Sequence, residues 1–200
     1  MENLFIEEVE NIYRLKIPFE NLYTSVFLIK LKGDFILVDC GTYLSDVDEY
    51  IIPALNLIKV RLEDIRYLIL THKHSDHAGG LKRILEKIPT LKAIDKVADL
   101  SFGDIIIYDL KGHTSDSIGV LDKRTGTLIS GDGLQGLGVG KYRLLIENRE
   151  EYLKSIDKIK KDKRIKNILF SHAYEPFNCD GIFGRIAVQN VLIECENALK

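Results

Sequence analysis

The chain is 200 residues long, which fits one domain, and it can bury a core of useful size without a disulfide staple. Hydrophobic residues make up 46% and charged residues 29%, a balance that excludes a largely disordered chain. With 28 Lys plus Arg against 30 Asp plus Glu, the net charge of −2 gives no global attraction to nucleic acid or anionic lipid.

No apolar run reaches membrane-spanning length. Residues 1–8 meet acidic side chains at once and lack a basic leader, so no secretory signal is expected. The three cysteines, Cys40, Cys179 and Cys195, form no pairing pattern and read as reduced thiols, which points to the cytoplasm.

In chain order, residues 12–17, 24–31 and 35–38 read as strands, with Lys32-Gly33-Asp34 as a hairpin turn. Residues 45–59 read as a helix bent by Pro53. A buried strand at 66–71, a helix at 76–88 and a short strand at 91–94 follow. Strands are expected at 104–110, 117–122 and 127–130, the last two joined by a turn at 123–126. A helix at 149–161, a strand at 167–170 and a closing helix at 183–199 complete the chain. Strand blocks interleaved with helices indicate a layered α/β or α+β domain over residues 1–200, with no linker or repeat.

The polar residues at the strand ends are of one kind. Asp39 follows the strand at 35–38, His72 the strand at 66–71, and His113 the strand at 104–110; Asp132 and His172 end the next two of this set. Loops at the carboxyl ends of strands commonly carry the chemistry of layered folds. The densest stretch is His72-Lys73-His74-Ser75-Asp76-His77-Ala78-Gly79-Gly80. His72 and His74 face the same side of an extended chain, and Asp76 and His77 turn back at a helix start. With His113, Asp132 and His172 added, the donors exceed what one tetrahedral zinc takes and suit two metals sharing a carboxylate. A single histidine after a strand is ordinarily a hydrogen-bonded structural residue. Here all five histidines of the chain fall in this pattern. Asp39 has two readings, a turn cap with Gly41 or part of the site.

These residues carry a resemblance. His72, His74, Asp76 and His77 complete the His-x-His-x-Asp-His motif of the metallo-β-lactamase superfamily. Asp39, Gly112-His113-Thr114, Gly131-Asp132 and Ser171-His172 match its further motifs in order. The resemblance spans nearly the whole chain. It implies an α+β fold, the αββα sandwich, with two mixed sheets face to face and helices on the outer faces. It implies His72, His74 and His113 on a first metal, and Asp76, His77 and His172 on a second. Asp132 would bridge the two, and Asp39 would orient a ligand from outside the metal shell.

The resemblance also narrows the activity. Antibiotic-hydrolysing members with two zincs have Cys where this chain has Asp132, and flavodiiron members have Glu in place of His74. The sequence is most similar to the glyoxalase II-like and lactonase-like hydrolases. Only 28 residues follow His172, so the helical C-terminal domain of glyoxalase II is expected to be absent. Lys141 matches the position of a glutathione-contacting lysine, although a solvated loop lysine is the ordinary alternative. The glycine-rich stretch 136–140 before it reads as a flexible loop.

The implied activity is hydrolysis of a small-molecule ester, thioester or lactone by a metal-bridging hydroxide. Asp132 and Asp76 would be catalytic, and Tyr142 and Tyr174 are candidates for a hydrogen bond to substrate. Two divalent ions are expected, zinc first, with iron or manganese compatible. Three alternatives remain: a single-iron persulfide dioxygenase held by His72, His113 and Asp132, a phosphodiesterase or nuclease, and a non-catalytic metal module. The basic run at 154–166 is the only support for a nucleic-acid partner. Its interleaved Ile and Asp read instead as an amphipathic helix with a solvated face.

Overall fold

The computed structural model describes residues 4–19, 22–96, 101–136, 138–140, 144–173 and 179–200. The chain divides into two compact units, residues 1–95 and 96–200. Among the described residues each unit carries one six-stranded mixed sheet with its own helices.

The first sheet has the order β1 (Ile6–Val9), β2 (Ile12–Phe19), β3 (Leu22–Lys30), β4 (Phe35–Val38), β5 (Ile65–Ile69) and β6 (Lys92–Ile94). β1 to β4 run antiparallel, as short hairpin turns allow. The turn expected at Lys32-Gly33-Asp34 joins β3 to β4, which pair from Lys30 opposite Phe35. β4, β5 and β6 are parallel, so each needs a helical crossover.

The first crossover is one helical run over 44–57. It widens to a π-helical stretch at Val47–Ile51 and tightens again at Ile52–Leu57. The wide turn lies just ahead of Pro53, whose nitrogen has no hydrogen to donate to the preceding turn. Val47, Ile51, Ala54 and Leu55 pack on Leu15, Val26, Leu28, Leu37 and Leu68, the residues of one sheet face. Phe27, Ile29, Ile36 and Val38, on the opposite face, are also fully buried. That double burial is why residues 26–29 of β3 and the whole of β4 read as unbroken apolar runs.

The expected helix at 76–88 is two helices, Ser75–Ala78 and Leu81–Lys87. The break falls at Gly79-Gly80, which lie against the backbone after β4. A Cβ on Gly79 would sit 1.8 Å from the Thr42 carbonyl oxygen, and one on Gly80 2.2 Å from that of Cys40. Gly79 N–H donates to Gly41 O at 3.0 Å as well as to Ser75 O within its own helix at 2.9 Å. The same glycines that interrupt the helix let it approach β4.

The second sheet has the order β12 (Gly181–Phe183), β11 (Asn167–Phe170), β10 (Thr127–Gly131), β9 (Ile118–Asp122), β8 (Ile105–Asp109) and β7 (Ser101–Phe102). β10 and β11 are parallel, joined through the helix Arg149–Lys161, and the other pairs are antiparallel. Asn148 caps that helix, its side chain accepting from the Glu151 N–H at 3.1 Å. Tyr152, Ile156 and Ile159 pack with Val188, Leu192 and Cys195 of the last helix over Leu121, Leu128, Ile168 and Phe170. That last helix is Arg185–Asn197. The expected start at Phe183 instead belongs to β12, an edge strand that the sequence pattern did not show.

No helix among the described residues is long and apolar enough to cross a membrane.

Candidate metal centre

The first unit gathers Asp39, Thr71, His72, His74, Asp76 and His77 beyond the ends of β4 and β5. Asp39 leaves β4 with φ of 62°, a left-handed conformation that a non-glycine residue adopts at some cost. Its N–H continues the ladder by donating to Ile69 O at 2.9 Å. Its buried carboxylate takes three hydrogen bonds. Thr71 N–H donates to Oδ1 at 2.7 Å, and the Thr71 hydroxyl and His77 Nδ1 donate to Oδ2 at 2.8 and 2.7 Å. The turn-cap alternative for Asp39 is therefore not what its side chain does.

These bonds assign protons. The Thr71 hydroxyl is committed as donor to Asp39, so its oxygen accepts from His72 Nδ1 at 3.2 Å. His72 and His77 both carry hydrogen on Nδ1, so in the neutral ring each presents the electron pair of Nε2. The rings cluster, with His72 and His77 centroids 4.1 Å apart and His72 and His74 4.6 Å apart. His77 Nε2 then faces Asp76 Oδ2 at 3.5 Å. With the ring neutral, an electron pair faces a carboxylate oxygen there, which is the arrangement a cation resolves.

The backbone of this segment is fixed from two sides. Cys40 N–H donates to His77 O at 2.8 Å, and its buried thiol lies 3.2 Å from the same oxygen. Burial first, then the neighbouring Asp39 charge, pushes the Cys40 thiol far above its ordinary pKa. The Thr24 hydroxyl donates to Asp76 O at 2.8 Å. Cys40 is thus a packing residue behind the histidines, not a thiolate donor.

The second unit gathers His113, Asp132 and His172 beyond the ends of β8, β10 and β11. All three are buried. Asp132 lies between the two imidazoles. His172 Nε2 is 3.3 Å from its Oδ1, and His113 Nε2 is 3.6 Å from its Oδ2. His113 Nδ1 donates to the carbonyl of Leu145, which can only accept, so in its neutral form this ring also presents the electron pair of Nε2. The confrontation of acceptor with acceptor seen at Asp76 recurs at His113 and Asp132. Gly112, with φ of 138°, lets the His113 turn settle on the helix Arg149–Lys161; a Cβ there would lie 2.4 Å from Tyr152 Cα.

The sequence reading missed the residues that hold these donors. Thr71 is one. Gln135 is another, fully buried, its side chain donating to Asp132 O at 3.0 Å and accepting from Leu145 N–H at 2.9 Å. Tyr152 is a third, bonded to both the N–H and the carbonyl of Gln135. The carbonyl of Leu145 carries no sequence signal, because any residue supplies one. Lys141, Tyr142 and Tyr174 lie outside the described residues. The glycine stretch before Lys141 is tied down where it is described. Gly138 N–H donates to Glu194 at 2.6 Å, and Gly136 N–H to Val139 O at 3.1 Å. The basic run forms ion pairs, Lys154 with Glu150 and Glu151, Lys160 with Glu196, Lys161 with Asp157, and Arg164 with Asp162.

Both units thus present His and Asp donors of the kind that hold divalent metals. The family model described as the metallo-beta-lactamase superfamily matches residues 20–105. The chain is 29% identical over 164 residues to a Beta-lactamase-like protein 2 homolog of Drosophila melanogaster, covering 68% of this chain and 54% of that protein. It is 25% identical over 185 residues to a hydroxyacylglutathione hydrolase of Legionella pneumophila (strain Lens), covering 80% of this chain and 70% of that one. A metallo beta lactamase crystal structure from Erythrobacter litoralis, 17% identical, shares the fold with a TM-score of 0.71 over 96% of each chain. Residues 20–105 thus match the metallo-β-lactamase superfamily, and the fold of the chain is the α+β fold of the metallo beta lactamase structure it resembles. It spans about half the length of the first curated relatives it matches, 54% in each of two.

Proposed function

We propose that this chain is a metal-dependent hydrolase of a small-molecule thioester, with esters and lactones as related substrates. In this reading residues 1–200 act as one domain. His72, His74 and His113 hold one divalent ion, Asp76, His77 and His172 a second, and Asp132 serves both. The observation that carries it is the recurring pair of acceptors, His77 Nε2 facing Asp76 and His113 Nε2 facing Asp132, each ring fixed by a hydrogen bond at Nδ1. Neutral imidazoles held in one tautomer beside carboxylates are the donor set that zinc, iron or manganese takes. The resemblance to a hydroxyacylglutathione hydrolase over 80% of this chain supports the thioester class.

When bound, the metals would lower the pKa of a shared water and polarise the substrate carbonyl. The protein's own part is to orient and to exclude. Asp39 and Thr71 fix the His72 and His77 rings, so no reorganisation is needed as charge develops. Asp76, buried at the start of its short helix, is placed to take the proton released when water attacks. Asp132 is held with its two oxygens toward different histidines, which suits a carboxylate shared between cations.

The test is a substrate panel. Zinc-loaded protein is assayed on an S-acylglutathione, an aryl ester, a lactone and a bis-aryl phosphodiester, beside the Asp132→Ala variant. Thioester turnover that disappears in the variant is the expected result. Turnover of the phosphodiester alone would refute the thioester reading.

A further inference from the structure

Gln135 sits at the centre of a hydrogen-bonded unit that ends on a proposed metal ligand. Its carboxamide nitrogen donates to Asp132 O at 3.0 Å, and its carboxamide oxygen accepts from Leu145 N–H at 2.9 Å. The carbonyl of the same Leu145 accepts from His113 Nδ1. The same carboxamide nitrogen lies 3.0 Å from that ring nitrogen, so it touches the ring as well as the Asp132 main chain. The main chain of Gln135 is gripped in turn by one hydroxyl. Tyr152 Oη donates to Gln135 O at 2.6 Å and accepts from Gln135 N–H at 2.8 Å.

A hydroxyl can do both only while it stays protonated. Burial pushes the Tyr152 phenol well above its ordinary pKa, so it does. Gln135 and Tyr152 are both fully buried, and Tyr152 belongs to the helix Arg149–Lys161 against which the His113 turn packs. The chain of contacts therefore runs from a rigid helix through one carboxamide to the backbone of Asp132 and the ring of His113.

We propose that Gln135 is a positioning residue that sets the tautomer and direction of His113 together with the placement of Asp132. This rests on the reading of both residues as metal ligands. A carboxamide is the group this task needs. It offers a donor and an acceptor on two separate atoms of one plane, so it can hold two backbone segments in register, whereas an ionised carboxylate only accepts. With Leu145 held, its carbonyl keeps the His113 proton on Nδ1 and leaves Nε2 for the metal.

The test uses Gln135→Met, which keeps the length and removes both polar arms. Two readouts are taken: zinc affinity by chelator competition, and the ring nitrogens of ¹⁵N-histidine-labelled, metal-free protein by NMR. In the wild type the His113 ring is expected in the Nδ1–H form. In Gln135→Met the expected result is a mixed tautomer and a zinc affinity lower by roughly 10–100-fold, with an unchanged circular dichroism spectrum. If that variant does not fold, Tyr152→Phe removes only the hydroxyl that anchors Gln135 and is expected to shift both readouts in the same direction by less. A folded variant with wild-type zinc affinity and an unaltered Nδ1–H signal overturns the role of Gln135. A wild type that binds no zinc would instead remove the metal reading, and the nitrogen spectrum would still decide whether Gln135 sets the tautomer.

Discussion

His77 Nδ1 lies 2.7 Å from Asp39 Oδ2, and both side chains are completely buried. Asp39 accepts three hydrogen bonds and donates none, so its carboxylate cannot be exchanged for an amide without reversing a contact. In Asp39→Asn either a main-chain N–H loses its acceptor or an amide N–H faces His77 Nδ1. The second outcome drives the His77 proton to Nε2 and removes the donor pair. Zinc affinity, measured by chelator competition, is expected to fall by roughly 10–100-fold.

Gly79 is the second point of leverage. A methyl group there would lie 1.8 Å from Thr42 O and 2.7 Å from Ser75 O, both backbone atoms that cannot step aside. Gly79→Ala is expected to destabilise the protein by about 3 kcal/mol, at the upper end of overpacking costs. Thermal unfolding of the metal-free protein reads this directly. A midpoint within a degree of the wild type would show that the helix Ser75–Ala78 does not pack on the 40–42 segment as described.

The thiols separate by environment. Cys195 is buried, its pKa pushed up to about 12 chiefly by burial, and Cys40 is raised further. Burial keeps both as neutral thiols at pH 8, and the neutral thiol is not the nucleophile. Cys179 is only partly buried. Native protein treated with iodoacetamide at pH 8 is expected to label at Cys179 alone, with Cys40 and Cys195 reacting after denaturation. Peptide mass mapping checks the order.

Much of this was legible in the sequence because burial and chemistry left separable marks. β4 is apolar on both faces and therefore appears as an unbroken run, and it and the buried β10 are each followed by the carboxylate they deliver, Asp39 or Asp132. The helix Arg149–Lys161 and the strand Asn167–Phe170 fall at the expected residues because cap and periodicity agree. The edge strands β1, β7 and β12 did not show. They are two to four residues long, too short for an alternation to register. The residues that aim the ligands were silent for another reason. Thr71 and Gln135 act through hydrogen bonds that include partners 32 and 10 residues away, contacts that exist only after folding.

Two lysines near the end of the helix Arg149–Lys161 are paired with acids on the same helix or the next one, Lys161 with Asp157 and Lys160 with Glu196. An exposed helical pair of this kind contributes about 0.3–0.5 kcal/mol. Lys161→Glu is expected to lower the unfolding midpoint slightly and to leave kcat/KM for the thioester within twofold of the wild type. A large fall in kcat/KM would place an anionic part of the substrate at this helix.

The most direct measurement is the metal content of protein purified without added metal, by elemental analysis, for the wild type and for His72→Ala. About two divalent ions per wild-type chain, with loss in the variant and loss of thioester hydrolysis on chelation, is the expected result. Less than one ion per chain after reconstitution with zinc, iron or manganese would contradict the shared donor set.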